Sequence, residues 1–167
     1  MLATLKITTK GALLTPAAGK ILQRDLDRLV TEATMLLLAE VKKYTPQGVF
    51  GAQGGLLGSI NAEVVGKGTP QVKGIVASAH KYVEVMEKGR APGKAMPPMG
   101  TLLRWLEVKA GLSADQAKKV EFVVRRSIGR KGFAGAHMFE KALVNNLERI
   151  QTMADNYGLT IATELNQ

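Results

Sequence analysis

A helical repeat of apolar residues, bounded at each end by a Thr-Pro dipeptide, sets the scale of any fold open to this chain. Thr15-Pro16 supplies an N-cap followed by proline in the first turn, where the missing N–H is one the helix would leave unpaired anyway. Leu22, Leu26, Leu29, Ala33, Leu37, Val41 and Tyr44 then recur at helical spacing until Thr45-Pro46 stops the pattern. Such a helix has about thirty residues and is roughly 45 Å long, so it crosses a whole domain or projects from one. Leu36, Leu37 and Leu38 in succession widen its stripe and predict burial on more than one side. The 167 residues suit a single domain, 1–167, whose core needs no covalent staple.

Around that helix the chain alternates between strand and helix periods. Ala3, Leu5 and Ile7 face one way and Thr4, Lys6 and Thr8 the other, which predicts a half-buried strand over residues 3–9. Residues 46–58 are rich in glycine and carry no charge, which predicts a mobile connector; a phosphate cradle would need Lys-Ser or Lys-Thr after the glycines, and none follows. Ile60, Ala62 and Val64 alternate with Asn61, Glu63 and Val65, Gly66 to Pro70 is a turn, and Val72 to Ala79 makes the second arm of a hairpin. Near the C-terminus a helix is predicted from His137 to Tyr157, ended by Gly158, with an alternating terminal strand over Leu159 to Leu165 or, alternatively, a short helix. Two long helices packed on a small antiparallel sheet make an α+β fold, the simplest way for each to bury its apolar face.

Between hairpin and last helix lies the basic part of the chain. From Lys88 to Lys131 there are eleven Lys or Arg against three acidic residues, whereas the remainder holds twelve against eleven, so nearly all of the net +9 falls in one stretch. A short helix carrying Tyr82, Val83 and Met86 breaks at Gly89 into a segment with Pro92, Pro97 and Pro98 that no regular element can traverse. A helical hairpin is predicted over 99–128. Its first helix runs from Met99 to Ala110. Its second opens on a capping box, Ser113 with Gln116, turns Ala117, Val120, Val123, Val124 and Ile128 inward, and ends at Gly129. Lys88, Arg90, Lys94, Lys118, Lys119, Arg125, Arg126, Arg130 and Lys131 are the candidate contacts to DNA or to an acidic partner. Met96, Met99, Phe50, Leu56 and Leu57 are the candidate oligomer or partner contacts, set against core packing as the simpler use of Met and Trp105.

Reactive chemistry finds little support. With no cysteine there is neither a disulfide nor a thiolate site, and two histidines are too few for a His cluster, so no metal or cofactor is expected. His137 precedes Glu140 by three residues, a spacing common in surface ion pairs, and Glu84 and Glu87 stand beside Lys81 and Lys88 as solvated helix charges. No catalytic residue is expected. No apolar run reaches the roughly 18 residues of a membrane span and the start lacks the pattern of a secretory signal, which predicts a soluble protein made in the cytoplasm, with no membrane partner. The helix, turn and helix of 99–128 also admit a helix-turn-helix DNA-binding reading, although base-reading Asn or Gln beside its arginines is confined to Gln116, so backbone contact without a sequence code fits better.

The order of elements resembles the neck and tail-completion family of long-tailed bacteriophages. The residues that carry this are Gly55-Leu56-Leu57-Gly58-Ser59-Ile60 after the first long helix, Tyr82 with Glu87-Lys88-Gly89, and His137-Met138-Phe139 at the entry to the last helix, where the family's proline before the phenylalanine is missing. The resemblance implies a non-enzymatic virion protein of the neck or tail, made in the host bacterial cytoplasm. It implies a homo-oligomeric ring between the head-closure or connector protein and the tail-tube or tail-terminator protein, with transient, nonspecific contact to the DNA that passes through. It also implies that the helical hairpin is an insertion before the last helix.

Overall fold

The computed structural model describes residues 16–49 and 55–165. In chain order the elements are α1 (Pro16–Tyr44), α2 (Gly55–Gly58), β1 (Ile60–Val65), β2 (Lys73–Ser78), α3 (Val83–Lys88), β3 (Gly89–Arg90), α4 (Leu103–Ala110), α5 (Ala114–Lys131), β4 (Phe133–Ala134), α6 (Met138–Val144) and α7 (Leu147–Leu165). Helices with two small two-stranded sheets, β1 with β2 and β3 with β4, make an α+β fold, as the periodicities predicted. The strand predicted at 3–9 lies outside the described residues. The contacts group the chain into two compact units, one of Met1–Leu37, Ala62–Val76 and Asn145–Gln167, the other of Leu38–Asn61 and Ala77–Val144.

The first unit combines the N-terminal part of α1, the tip of the β1–β2 hairpin and α7. Proline opens α1, and Leu29 on its predicted stripe is buried. Two polar residues, Asp25 and Thr34, are buried on the same helix, which the apolar pattern did not announce. Thr34 donates to the Val30 carbonyl, and a side chain at Gly74 of β2 would collide with the Thr34 hydroxyl, so that glycine lets strand and helix meet closely. At the hairpin tip, Gln23 Nε2 donates to the Thr69 carbonyl at 2.6 Å and Gly68 N donates to Asp27 at 2.9 Å.

α7 departs from the sequence reading at both ends. The predicted helix from His137 to Tyr157 is interrupted by a turn at Asn145 and Asn146, and α7 restarts with Ile150 N donating to the Asn146 carbonyl at 2.9 Å. Asparagine propagates a helix poorly and starts one well, so the Asn-Asn pair was the available signal. Beyond it, the predicted stop at Gly158 and the terminal strand are replaced by continuous helix to Leu165. Thr160 and Thr163, within the stretch read as a terminal strand or a short helix, donate to the Asn156 and Leu159 carbonyls four residues back. Tyr157 and Glu164, seven residues apart and so on one face, bond to Glu32 at 2.7 Å and Arg24 at 2.6 Å of α1. These ties hold helix on either side of Gly158, and tertiary contact overrides a weak local stop.

The second unit takes α1 from Leu38 to its end. There the buried Thr45 donates its hydroxyl to the Val41 carbonyl at 2.6 Å and lies 3.3 Å from the Met138 sulfur of α6. Leu56 of α2, Ile60 and Met138 are fully enclosed, and Ser59 and Ser78 share a hydroxyl hydrogen bond of 2.7 Å at the base of the hairpin. α4 begins at Leu103 rather than Met99 and packs on α5. The capping box of α5 forms as predicted, with Ser113 N donating to the Gln116 side chain at 2.9 Å and Gln116 N to the Ser113 hydroxyl at 3.3 Å. The end of α5 does not: the helix runs through Gly129 to Lys131 and is capped by Gly132 in a positive-φ conformation.

Candidate interaction surface

Charge separates with the two units. The second contains fifteen Lys or Arg against seven Asp or Glu, while the first contains eight against seven. Two of the second unit's seven carboxylates, moreover, are bonded to backbone amides. Glu87, predicted to be a solvated helix charge, accepts from Phe139 N at 3.1 Å and Glu140 N at 3.2 Å, and so caps the N-terminal turn of α6 from a distant part of the chain. Its own carbonyl accepts from His137 N, the Met86 carbonyl accepts from Ala136 N, and the antiparallel pairs Gly89 with Ala134 and Arg90 with Phe133 continue the seam as β3–β4. By contrast Glu84 meets Lys88 at 2.8 Å in an exposed pair of the kind expected.

Glu121 is the second of these carboxylates. It is buried on the inner face of α5 and accepts from Gly100 N at 2.7 Å and Leu102 N at 3.4 Å, just before α4 begins. That cap explains why α4 starts late: the amides at 100 and 102 are bonded to a side chain while Thr101 turns back onto the Pro98 carbonyl. The same face of α5 fixes the rest of the proline segment. Arg125 Nε donates to the Pro97 carbonyl at 2.7 Å, and buried Gly129 lies where a methyl group would come within 3.0 Å of the Lys94 carbonyl and 3.2 Å of Met96. Gly129 is therefore needed for close approach, and its reading as a stop is corrected. Arg90 donates from its guanidinium to the Ala95 carbonyl, while its buried Nε has no hydrogen-bond partner.

The inward face of α5 also differs from the one predicted. Ala117, Glu121 and Gly129 are buried, whereas Val120 and Val123 are exposed, Val123 at 65 %. Counting from Ala117 by four, seven and eleven residues gives Glu121, Val124 and Ile128, so a carboxylate on the apolar stripe was the visible sign of an internal partner. The predicted cations consequently divide. Arg90 and Arg125 hold the proline segment, Lys88 pairs with Glu84, and Lys118 stands 4.0 Å from Asp115. Lys94, Lys119, Arg126, Arg130 and Lys131 are exposed and form no hydrogen bond or ion pair among the described residues.

The predicted apolar contacts divide as well. Leu56 is fully buried in its own unit and Leu57 half-buried, so the Leu56 side chain serves the core and not a surface, as its place in a short helix after a glycine hid. Met96 is 44 % exposed and Met99 82 %, and Phe50 lies outside the described residues. His137 and Glu140 form the expected surface pair, Nδ1 to Oε2 at 2.8 Å. Among the described residues no group of three or more His, Asp or Glu could hold a metal ion, and no helix is long and apolar enough to cross a membrane. No family model matches the chain, and neither a curated protein nor a solved structure does.

Proposed function

We propose that the chain is a structural virion protein of a long-tailed bacteriophage neck, a tail-completion or head–tail joining subunit. It assembles as a ring of identical copies between a head connector and the tail tube, in the host cytoplasm, and carries out no catalysis. The observation that carries this reading concerns the three stretches on which the resemblance rests. Residues 55–60, 82–89 and 137–139 are far apart in sequence yet fall in one compact unit, where Glu87 of the second caps the helix opened by the third. A closed ring joins unlike patches head to tail, and one basic and one charge-balanced unit supply unlike surfaces. Sedimentation velocity and negative-stain microscopy of the purified chain test the proposal. Discrete rings formed without DNA are expected, and a chain that stays monomeric at high concentration, alone and with connector protein, would contradict it.

A second reading, sequence-nonspecific DNA binding through α4, its turn and α5, is favoured by the exposed, unpaired Lys119, Arg126 and Arg130. Specific helix-turn-helix recognition is disfavoured, because the first turn of α5, which would approach the base edges, presents the 89 % exposed Asp115. Gel shifts that are strong, sequence-blind and salt-sensitive in the absence of any ring would favour this second reading.

A further inference from the structure

On α5, the row Glu121, Arg125 and Gly129 seats the proline segment. The next row round the helix, at the same four-residue spacing, is Lys118, Phe122, Arg126 and Arg130, and Lys119 and Val123 follow it. This outer face is neither a plain charged face nor a plain apolar one. Phe122 at 55 % and Val123 at 65 % exposure share it with Lys118, which stands near Asp115, and with Lys119, Arg126 and Arg130, whose side chains have no partner among the described residues. The bond from Gly100 N to Glu121 also tethers the residue beside Met99 to α5, one position from Phe122, so the most exposed methionine sits on a loop already fixed in place. Fixing the loop in advance removes part of the entropy cost of binding.

We infer that the outer face of α5 and the Met99 tip form one docking surface for an acidic amphipathic segment of a different protein. The segment's apolar side chains cover Met99, Phe122 and Val123, and its carboxylates meet Lys119, Arg126 and Arg130. A phosphate backbone satisfies the cations and leaves the three apolar side chains in water. Base stacking uses one aromatic ring and nothing of Val123 or Met99. The same face of a second copy is disfavoured by charge, because α5 against α5 would align cationic rows. An apolar centre with a charged rim is the usual anatomy of a protein contact, and a helix laid across it is a common mode. The inference rests on the assembly reading, for which it supplies the chemistry of the neighbouring partner.

The test uses the full chain and three probes: a helical peptide with Leu on one face and Glu on its flanks, a poly-glutamate peptide of equal charge, and duplex DNA. Fluorescence anisotropy should show the amphipathic peptide bound about tenfold more tightly than poly-glutamate, an advantage lost in Phe122→Ser combined with Met99→Ser. Circular dichroism melting checks that the double variant stays folded, and Arg126→Glu with Arg130→Glu gives an independent loss of binding. Equal affinity for the two peptides overturns the proposal. So does displacement of the peptide by duplex DNA at equal charge, or self-association that the Phe122→Ser variant abolishes. Ring formation is measured separately: rings without peptide binding remove this surface and leave the assembly function, whereas peptide binding without rings does the reverse.

Discussion

The two units use their carboxylates differently. In the first, acids meet cations and a phenol: within α1 Arg24 joins buried Asp25 at 2.8 Å and Arg28 approaches it at 3.7 Å, and between α1 and α7 Arg24 meets Glu164 at 2.6 Å and Tyr157 donates to Glu32. In the second, Glu87 and Glu121 are bonded to backbone amides of α6 and of the loop before α4. The units also differ in charge. The first unit is nearly balanced, with eight bases against seven acids, whereas the second holds fifteen against seven and bonds two of those seven to backbone amides.

The contrast predicts unequal responses to substitution. The largest loss should come from the apolar centre of the second unit. Leu56→Ala removes a fully buried side chain and should lower unfolding free energy by about 3 kcal/mol, measured by urea denaturation under conditions where the chain is monomeric. A stable variant defective only in assembly would instead return Leu56 to the role first expected of it. Next comes Glu121→Ala, which strands two amides of the turn at 100–102 and should cost about 2 kcal/mol. Hydrogen exchange at Gly100 and Leu102 should accelerate in that variant while the hairpin tip and α7 exchange as before. Equal acceleration in both units would mean that Glu121 does not act locally.

How much of this was visible beforehand follows from what each device needs. α1 with its Pro16 start, the hairpin with its Gly66 to Pro70 turn, and the Ser113–Gln116 box are local in sequence, and their patterns are complete within a few residues. The α+β class followed from them. The carboxylate caps join residues 52 and 21 positions apart, and no periodicity records such a pairing. Gly129 illustrates the ambiguity: helix stop and close approach both favour the missing side chain, and only the passage of Lys94 and Met96 over it decides between them. The cations stand together in the sequence but are not sorted by it, because Arg90 and Arg125 differ from Arg126 in the carbonyls that fold back to meet them.

A smaller effect should separate the units by pH. The Arg24 hydrogen bonds hold the Asp25 carboxyl below its ordinary value, with Arg28 adding to the attraction against the cost of burial. A depressed folded-state value gives stability that is present above the unfolded value of about 3.9 and is lost as pH falls through the folded one. Tyr157 has the opposite sign: its bond to Glu32, then burial, raises it, so its contribution is present below about pH 10 and disappears as pH climbs past the folded value. Thermal melts followed across pH should therefore show an acid limb reduced by Arg24→Ala and an alkaline limb reduced by Tyr157→Phe. In the second unit Glu84 and Lys88 shift each other in the stabilising directions, yet both are exposed, so Glu84→Gln should leave either limb unchanged.

The smallest structural effect and the sharpest functional one should fall on the same residues. Arg126→Ala with Arg130→Ala removes two exposed cations whose side chains bond to nothing among the described residues, and the unfolding free energy should move by less than about 0.5 kcal/mol. Arg125→Ala is the matched control, since it frees the Pro97 carbonyl and loosens the loop. Whatever affinity the chain has for duplex DNA should fall uniformly across sequences in the double variant, with the log–log salt slope shallower by about 2 if each arginine neutralises one phosphate. Loss of stability in the double variant would show that these arginines are held within the fold and that the positive face is not free. Unchanged stability with an unchanged salt slope would instead leave the face free of DNA and available to the acidic protein segment. The variant thus distinguishes whether the charge left over in the second unit serves phosphates or carboxylates.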